Sequence, residues 1–292
     1  MTIDPRLTPA RPDLADERLR GEIDAARYIP GTLRRIVVPS APLRRSPAPD
    51  ASLDTEALMG ELVTIYDEHE GWAWGQLQSD GYVGYLPDEA LGPSNVEPGH
   101  RIGVLRTFIY PGPSLKLPPS GYLSLNACVS VTEIAGDYAR IGIAGFVFAA
   151  HLVGIEDYEP DFVEVAERFV GTPYLWGAKT SLGLDCSGLI QLSLAASGIA
   201  APRDSDMQAN LGDPVEIRSD LGGLRRGDLL FWKGHMGVML DAERLLHANG
   251  HHMMTAVEPL AIAEERIRRK SFGPITAIRR LPTLGAATAP LS

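Results

Sequence analysis

Short β-rich runs separated by turn residues dominate the first half of the chain, and two helical patterns open the second half. Behind Pro12-Asp13, the residues Leu14, Leu19 and Ile23 recur at helical spacing, which predicts one short amphipathic helix as an N-terminal extension over residues 1–34. In residues 35–92, apolar and aromatic runs at 36–38, 62–66, 72–77 and 81–86 are punctuated by Gly, Asp and Ser, the spacing of a small antiparallel barrel. Residues 93–156 repeat the grammar with runs at 127–132, 136–141 and 145–147. In both stretches a β-run leads through a Gly-containing turn to an aromatic strand and then to a Gly-aromatic-Val segment, so they read as a divergent repeat.

After the acidic hinge at 156–160 the period changes. Phe162, Val165, Ala166, Phe169 and Val170 share one helical face behind Asp161, and the pattern stops at Gly171. An extended aromatic loop, Thr172-Pro173-Tyr174-Leu175-Trp176-Gly177, follows. Asp185-Cys186-Ser187-Gly188 then opens an apolar run over 189–196, closed by Gly198, which predicts a buried helix. Strands are expected at 228–232, 235–240 and 244–248. Helix, helix, then sheet is an α+β order for a domain over residues 157–282, leaving 283–292 as a C-terminal tail.

Composition narrows the function classes. A length of 292 residues suits two or three domains, and 45% apolar with 22% charged residues is globular usage. The net charge of −10 opposes binding to nucleic acid or anionic membranes, so neither is an expected partner. No run approaches the roughly 18 apolar residues of a membrane helix, and the start of the chain lacks the basic and apolar segments of a secretory signal, so a cytoplasmic location is expected. Two cysteines, Cys128 and Cys186, make no disulfide framework.

The two thiols differ in setting. Cys128 lies in a β-run beside Val129 and Val131 and reads as a small buried hydrophobe. Cys186 stands at a helix start between Asp185 and Ser187, where unpaired N–H groups and the helix dipole favour thiolate and could hold an oxyanion. His235 opens one predicted strand, and His247 lies twelve residues on in the next. With residues 241–243 as the loop, 240 pairs with 244 and 237 with 247, leaving the two histidines diagonal on one face at roughly 7 to 8 Å. A two-residue turn would put them on opposite faces. Cys186 as nucleophile, His235 as general base and His247 as its orienting group form the expected catalytic set. His251 and His252 add a metal reading that is weak without carboxylates at ligand spacing, and no metal or other cofactor is expected.

The segments Pro173-Tyr174-Leu175-Trp176-Gly177, Asp185-Cys186-Ser187-Gly188-Leu189, Arg203-Asp204-Ser205, Leu224-Arg225-Arg226-Gly227-Asp228-Leu229-Leu230-Phe231, Gly234-His235-Met236-Gly237-Val238 and His247-Ala248 resemble the successive motifs of NlpC-type cell-wall cysteine peptidases. Both β-rich stretches resemble bacterial SH3-like domains. The resemblance implies a papain-like α+β catalytic domain behind two small all-β SH3-like barrels. It also implies hydrolysis of the γ-D-glutamyl-diamino acid bond of peptidoglycan stem peptides. Two such barrels ahead of the peptidase are similar to recycling endopeptidases that require a free N-terminal L-Ala, so peptidoglycan-derived peptides are the expected partners. By that resemblance Asp185, Ser187 and Ser205 contact substrate, and Glu61 and Tyr82 are candidates from the first barrel. From the residues alone Tyr82 reads equally as a packing aromatic and Glu61 as a solvated turn charge. Tyr174 and Trp176 wall the cleft or fill core, and Arg203 either pairs a substrate carboxylate or sits on the surface. The competing functions are another Cys-His-His acyl-transfer enzyme, an amidase or acyltransferase, and a wall-binding module with a vestigial catalytic domain.

Overall fold

The computed structural model describes residues 3–282, so the expected tail lies outside the described residues. The chain divides into two compact units, one formed by the described residues of Met1–Asp157 with Trp176–Ser181, the other by those of Tyr158–Leu175 and Leu182–Ser292.

In the first unit the expected N-terminal helix is absent. Residues 3–30 run as irregular chain with a two-residue parallel pairing of Ala15–Asp16 with Tyr28–Ile29 and a single 3-10 turn, Glu17–Leu19. Tertiary contacts decide this. Leu14 is buried against Tyr66 and Trp74, and Asp16 accepts from Tyr66 Oη at 2.6 Å. Backbone oxygens of Arg6 and Leu7 accept from Val83 N–H and Gln76 Nε2, both at 2.8 Å. Arg11 lies 4.5 Å over the Trp74 ring and pairs with Asp67 at 2.5 Å. An isolated helix this short is marginal in water, so these contacts outweigh its periodicity.

The first barrel has seven strands: β1 (Thr32–Ile36), β2 (Ser40–Arg44), β3 (Leu53–Leu58), β4 (Leu62–His69), β5 (Trp72–Leu77), β6 (Val83–Pro87) and β7 (Leu91–Pro93). They hydrogen-bond in the order β3-β2-β6-β5-β4-β1-β7. Their inward residues, among them Ile36, Leu43, Val63, Leu77 and Leu86, form one buried core. The following β-body, β8 (His100–Ile102) through β9 (Arg106–Ile109), β10 (Gly121–Ser124), β11 (Cys128–Val129), β12 (Val131–Ala135), β13 (Tyr138–Ile141), β14 (Phe146–Phe148) and β15 (Leu152–Gly154), has its own core of Ile102, Leu123, Val129, Ile141 and Val147. Gly60 (φ +88°) is required between the two, because a Cβ there would overlap the Cys128 carbonyl.

Trp176–Ser181 belongs to this unit rather than to an unbroken domain over 157–282. Lys179 N–H donates to Glu56 Oε2 at 2.9 Å, and Arg106 Nη2 donates to the Ser181 carbonyl at 2.7 Å.

The second unit is α+β as expected. Helices α1 (Phe162–Glu167) and α2 (Cys186–Ala196) come first, then α3 (Ser205–Gln208). The sheet follows: β16 (Asp213–Pro214), β17 (Leu229–Trp232), β18 (His235–Met239), β19 (Arg244–Asn249), β20 (Met254–Pro259), then α4 (Leu260–Lys270) and β21 (Ala277–Arg280). The strands are antiparallel in the order β16-β21-β17-β18-β19-β20. Helix α2 is buried on nearly every side, with Leu189, Ile190 and Leu194 fully inside, each worth roughly 1.5–3 kcal/mol of burial. That burial fixes Cys186, its first residue. Across the sheet, α4 seals a core of Leu230, Trp232, Met239, Leu245, Leu260 and Ile267.

Candidate active site

Asp185 caps α2, its Oδ1 accepting from Gly188 N–H at 2.7 Å, so Cys186 begins the helix with its neighbours' amides still free of helical partners. The thiol is 7% exposed and receives the backbone N–H groups of Met236 and Ser187. These amides do not make it a resting thiolate, contrary to the expectation from helix position. Burial, and after it the charge of Asp185, push the thiol up to about 12.

Behind Cys186, Arg203 is 1% exposed, donating to Asp185 Oδ1 at 3.0 Å, to Asp185 Oδ2 at 2.7 Å and to Ser187 Oγ at 2.9 Å. It is neither a surface arginine nor one turned to a ligand carboxylate. It neutralises the cap residue of the helix start. Asp185 and Ser187 are thus built into the support of Cys186.

The tight turn Lys233-Gly234, with Gly234 at φ +84°, pairs Trp232 with His235 and sets the histidine at the start of β18. Strands β18 and β19 pair Val238 with Leu246 and Met239 with Leu245, and Leu240 N–H donates to the Arg244 carbonyl. This is the three-residue loop expected from spacing. His235 and His247 therefore share a face with Met239 and Leu245, and His235 Nε2 meets His247 Nδ1 at 2.8 Å. Gly237 lies between them because a Cβ there would stand 3.0 Å from the His247 Cβ. Trp232 and Phe272 flank the His235 ring at centroid distances of 5.7 and 5.4 Å, Phe272 stacked within 15°. Burial, then the neighbouring His247 and Arg266, bring His235 down to about 3, so it rests as a neutral imidazole with a free lone pair.

Two further residues extend this line and were missed from the sequence. His247 Nε2 lies 2.7 Å from Glu258 Oε1, and both carboxylate oxygens accept from Arg266 Nη atoms, at 2.5 and 2.6 Å. Strand β20 pairs Ala256 with His247, so Glu258 is diagonal to His247 just as His247 is to His235. The signal was available in hairpin parity, had a strand been drawn over 254–259.

Tyr174 also comes to the site: burial first, then the nearness of Cys186 and Asp185, hold its phenol above the ordinary tyrosine range. Ser205 opens α3, whose Gln208 donates to the Ser187 carbonyl at 3.1 Å. The remaining candidates lie in the first unit. Tyr82 is 3% exposed within the barrel core, a packing position. Glu61 is no solvated charge: its Oε1 pairs with Lys179 Nζ at 3.1 Å and accepts from Leu58 N–H, while Oε2 accepts from Ser79 Oγ. Trp176 is 64% exposed. Cys128 is half-buried with its thiol pushed up to about 11 by burial. Among the described residues no group of three or more His, Cys, Asp or Glu is placed to hold a metal ion, and no helix is long and apolar enough to cross a membrane.

Comparison with known proteins gives two family matches. Residues 43–91 match the bacterial dipeptidyl-peptidase Sh3 domain, and residues 171–268 match the NlpC/P60 family. The chain is 26% identical over 226 residues to the gamma-D-glutamyl-L-lysine dipeptidyl-peptidase of Bacillus subtilis, covering 68% of this chain and 73% of that protein. It is 34% identical over 102 residues to dipeptidyl-peptidase 6 of Lysinibacillus sphaericus, covering 35% of this chain and 36% of the relative. The structure is similar to that of an NlpC/P60 family protein from Bacillus cereus, with a TM-score of 0.70 at 20% identity over 86% of this chain and all of the other. With a thiol at a helix start beside paired imidazoles, the chain is a cysteine peptidase that carries an NlpC/P60 domain behind a bacterial SH3 domain.

Proposed function

We propose that the chain hydrolyses the γ-D-glutamyl-diamino acid bond of peptidoglycan stem peptides, acting in the cytoplasm on peptides with a free N-terminal L-Ala. The 2.8 Å contact of His235 with His247 beside a helix-start cysteine carries the catalytic reading. The names of the relatives at 26% identity supply the bond. His235 spends Nε2 on His247, leaving Nδ1 for the thiol. Cys186 Sγ attacks the glutamyl carbonyl carbon while its proton passes to Nδ1, and the carbonyl becomes an oxyanion facing the amides at the start of α2. Collapse breaks the C–N bond, and the amine leaves with the proton from Nδ1. Water, deprotonated by the same nitrogen, then cleaves the thioester and restores the thiol.

The test is incubation with L-Ala-γ-D-Glu-L-Lys, its diaminopimelate counterpart and the N-acetylated forms, followed by mass spectrometry. Release of L-Ala-D-Glu from the free-amine peptides alone supports the reading, and Cys186→Ala removes it. Equal cleavage of the acetylated peptides would refute the free-end requirement, and no release from any would refute the substrate.

A further inference from the structure

We propose that Glu258 and Arg266 are positioning residues for the catalytic base, setting which nitrogen of His247 carries its proton and through it the tautomer of His235. The inference rests on the peptidase reading of Cys186 and His235, and it adds two residues to the reacting line.

A carboxylate whose two oxygens both accept from a guanidinium is ionised and offers only lone pairs. Glu258 Oε1, 2.7 Å from His247 Nε2, therefore requires N–H at that nitrogen. His247 Nδ1 is then a bare acceptor, and its partner at 2.8 Å, His235 Nε2, must be the donor. A neutral His235 protonated at Nε2 has its lone pair at Nδ1, the nitrogen left for the thiol. Each assignment forces the next. The line closes at Arg266, which cannot accept and cannot lose its proton.

The geometry leaves few alternatives. His247 is 1% exposed and Glu258 is 9% exposed, so water has little access to the Nε2 partner. Arg266 sits on α4, eight residues beyond Glu258, and its side chain is 14% exposed. His252 is the other imidazole near the carboxylate, 3.9 Å from Oε1, and its Nδ1 is 3.1 Å from Asn249 Oδ1. When His235 takes the thiol proton, the positive charge forms at one end of a line whose next fixed charge is the Glu258 carboxylate. A neutral isostere removes that stabilisation. With Arg266 drawing the amide oxygen, a glutamine at 258 presents NH2 to His247 Nε2, which inverts the tautomer of both rings and turns N–H toward the thiol.

The experiment is 15N NMR of the full-length protein labelled at histidine, together with steady-state kinetics of Glu258→Gln, Glu258→Asp and Arg266→Gln. In the unsubstituted protein His247 Nε2 should show the pyrrole-type shift and Nδ1 the pyridine-type shift. A pyridine-type Nε2 overturns the proposal without any variant having to fold. Glu258→Gln should exchange the two shifts and lower kcat on the order of 10- to 100-fold, the usual effect of a supporting residue behind a ligating or catalytic histidine, with KM little changed. Glu258→Asp, which keeps the carboxylate, should recover most of kcat. Loss of thermal stability with an unchanged His247 spectrum and unchanged kcat per titrated thiol would show a purely structural role. The spectral readout stands even if the peptide substrate proves wrong, so the two failures are separable.

Discussion

Nucleophile and base are each backed by a carboxylate–guanidinium pair, enclosed behind Cys186 and reaching solvent at Arg266, and the two pairs are wired differently. On the Cys186 side, Asp185 gives its lone pairs to Arg203, to the Gly188 amide and to Ser187 Oγ, all donors that hold the helix start. On the His235 side, Glu258 shares Oε1 between Arg266 and His247. The same ion pair is a clamp in one place and the end of a relay in the other. What separates them is whether a titratable ring shares the carboxylate.

The largest expected difference is in stability. Asp185→Ala removes from Arg203, 1% exposed, the carboxylate that accepts from both of its Nη atoms and should cost about 3–5 kcal/mol in urea unfolding. Glu258→Gln should cost clearly less, because it leaves a hydrogen-bonding amide and Arg266 reaches solvent. Equal losses would erase the distinction between clamp and relay.

Next comes pH. His235 is lowered by burial, then by His247 and Arg266, to about 3, against roughly 6.5 in the unfolded chain. Between those values the unfolded state binds a proton that the native state refuses. Stability from neutral burial of His235 is therefore complete above roughly pH 6.5 and is lost as pH falls toward 3. Arg266 and His247 also hold Glu258 below the usual carboxylate range despite burial, adding a loss that starts only below roughly pH 4.3. Unfolding of His235→Asn followed from pH 7 to 4 should show a shallower slope than the unsubstituted protein. Parallel slopes would place the imidazole in solvent.

The smallest effect expected is that of Arg266→Lys, which keeps the charge and loses one of two hydrogen bonds. It should cost about 1 kcal/mol and leave kcat within a few-fold. A loss as large as that of Glu258→Gln would mean that the bidentate geometry, and not the charge, orients the carboxylate.

How much of this was legible follows from how local each signal is. Cys186 at a helix start and the shared face of His235 and His247 could be read because a cap residue and loop parity are short-range properties. The barrel runs at 72–77 and 81–86 were legible in their aromatic and apolar residues, whereas β2, interrupted by Pro42, and β3, carrying Asp54 and Glu56, were not. The N-terminal helix failed because Leu14 and Asp16 are claimed by Tyr66 and Trp74, some fifty residues away, which no local period reports. Arg203 and Glu61 were misjudged for one reason: a charged residue looks solvent-facing until the partner that neutralises it, Asp185 or Lys179, is seen beside it. Glu258 escaped because β20 ends in Glu-Pro and carries no strong alternation.

His235, His247 and Glu258 stand on three consecutive strands, each offset by two from the residue paired with its neighbour. Side-chain direction in a strand reverses at every residue, so the site is defined by phase as well as by identity. One residue inserted in the turn at 241–243 with a shift of pairing would rotate the His247 ring to the opposite face, and one at 250–253 would turn the Glu258 carboxylate away from it, while leaving every catalytic letter in place. In such a variant, counting turn lengths would reveal a dead enzyme that an inventory of its active-site residues would pass as intact.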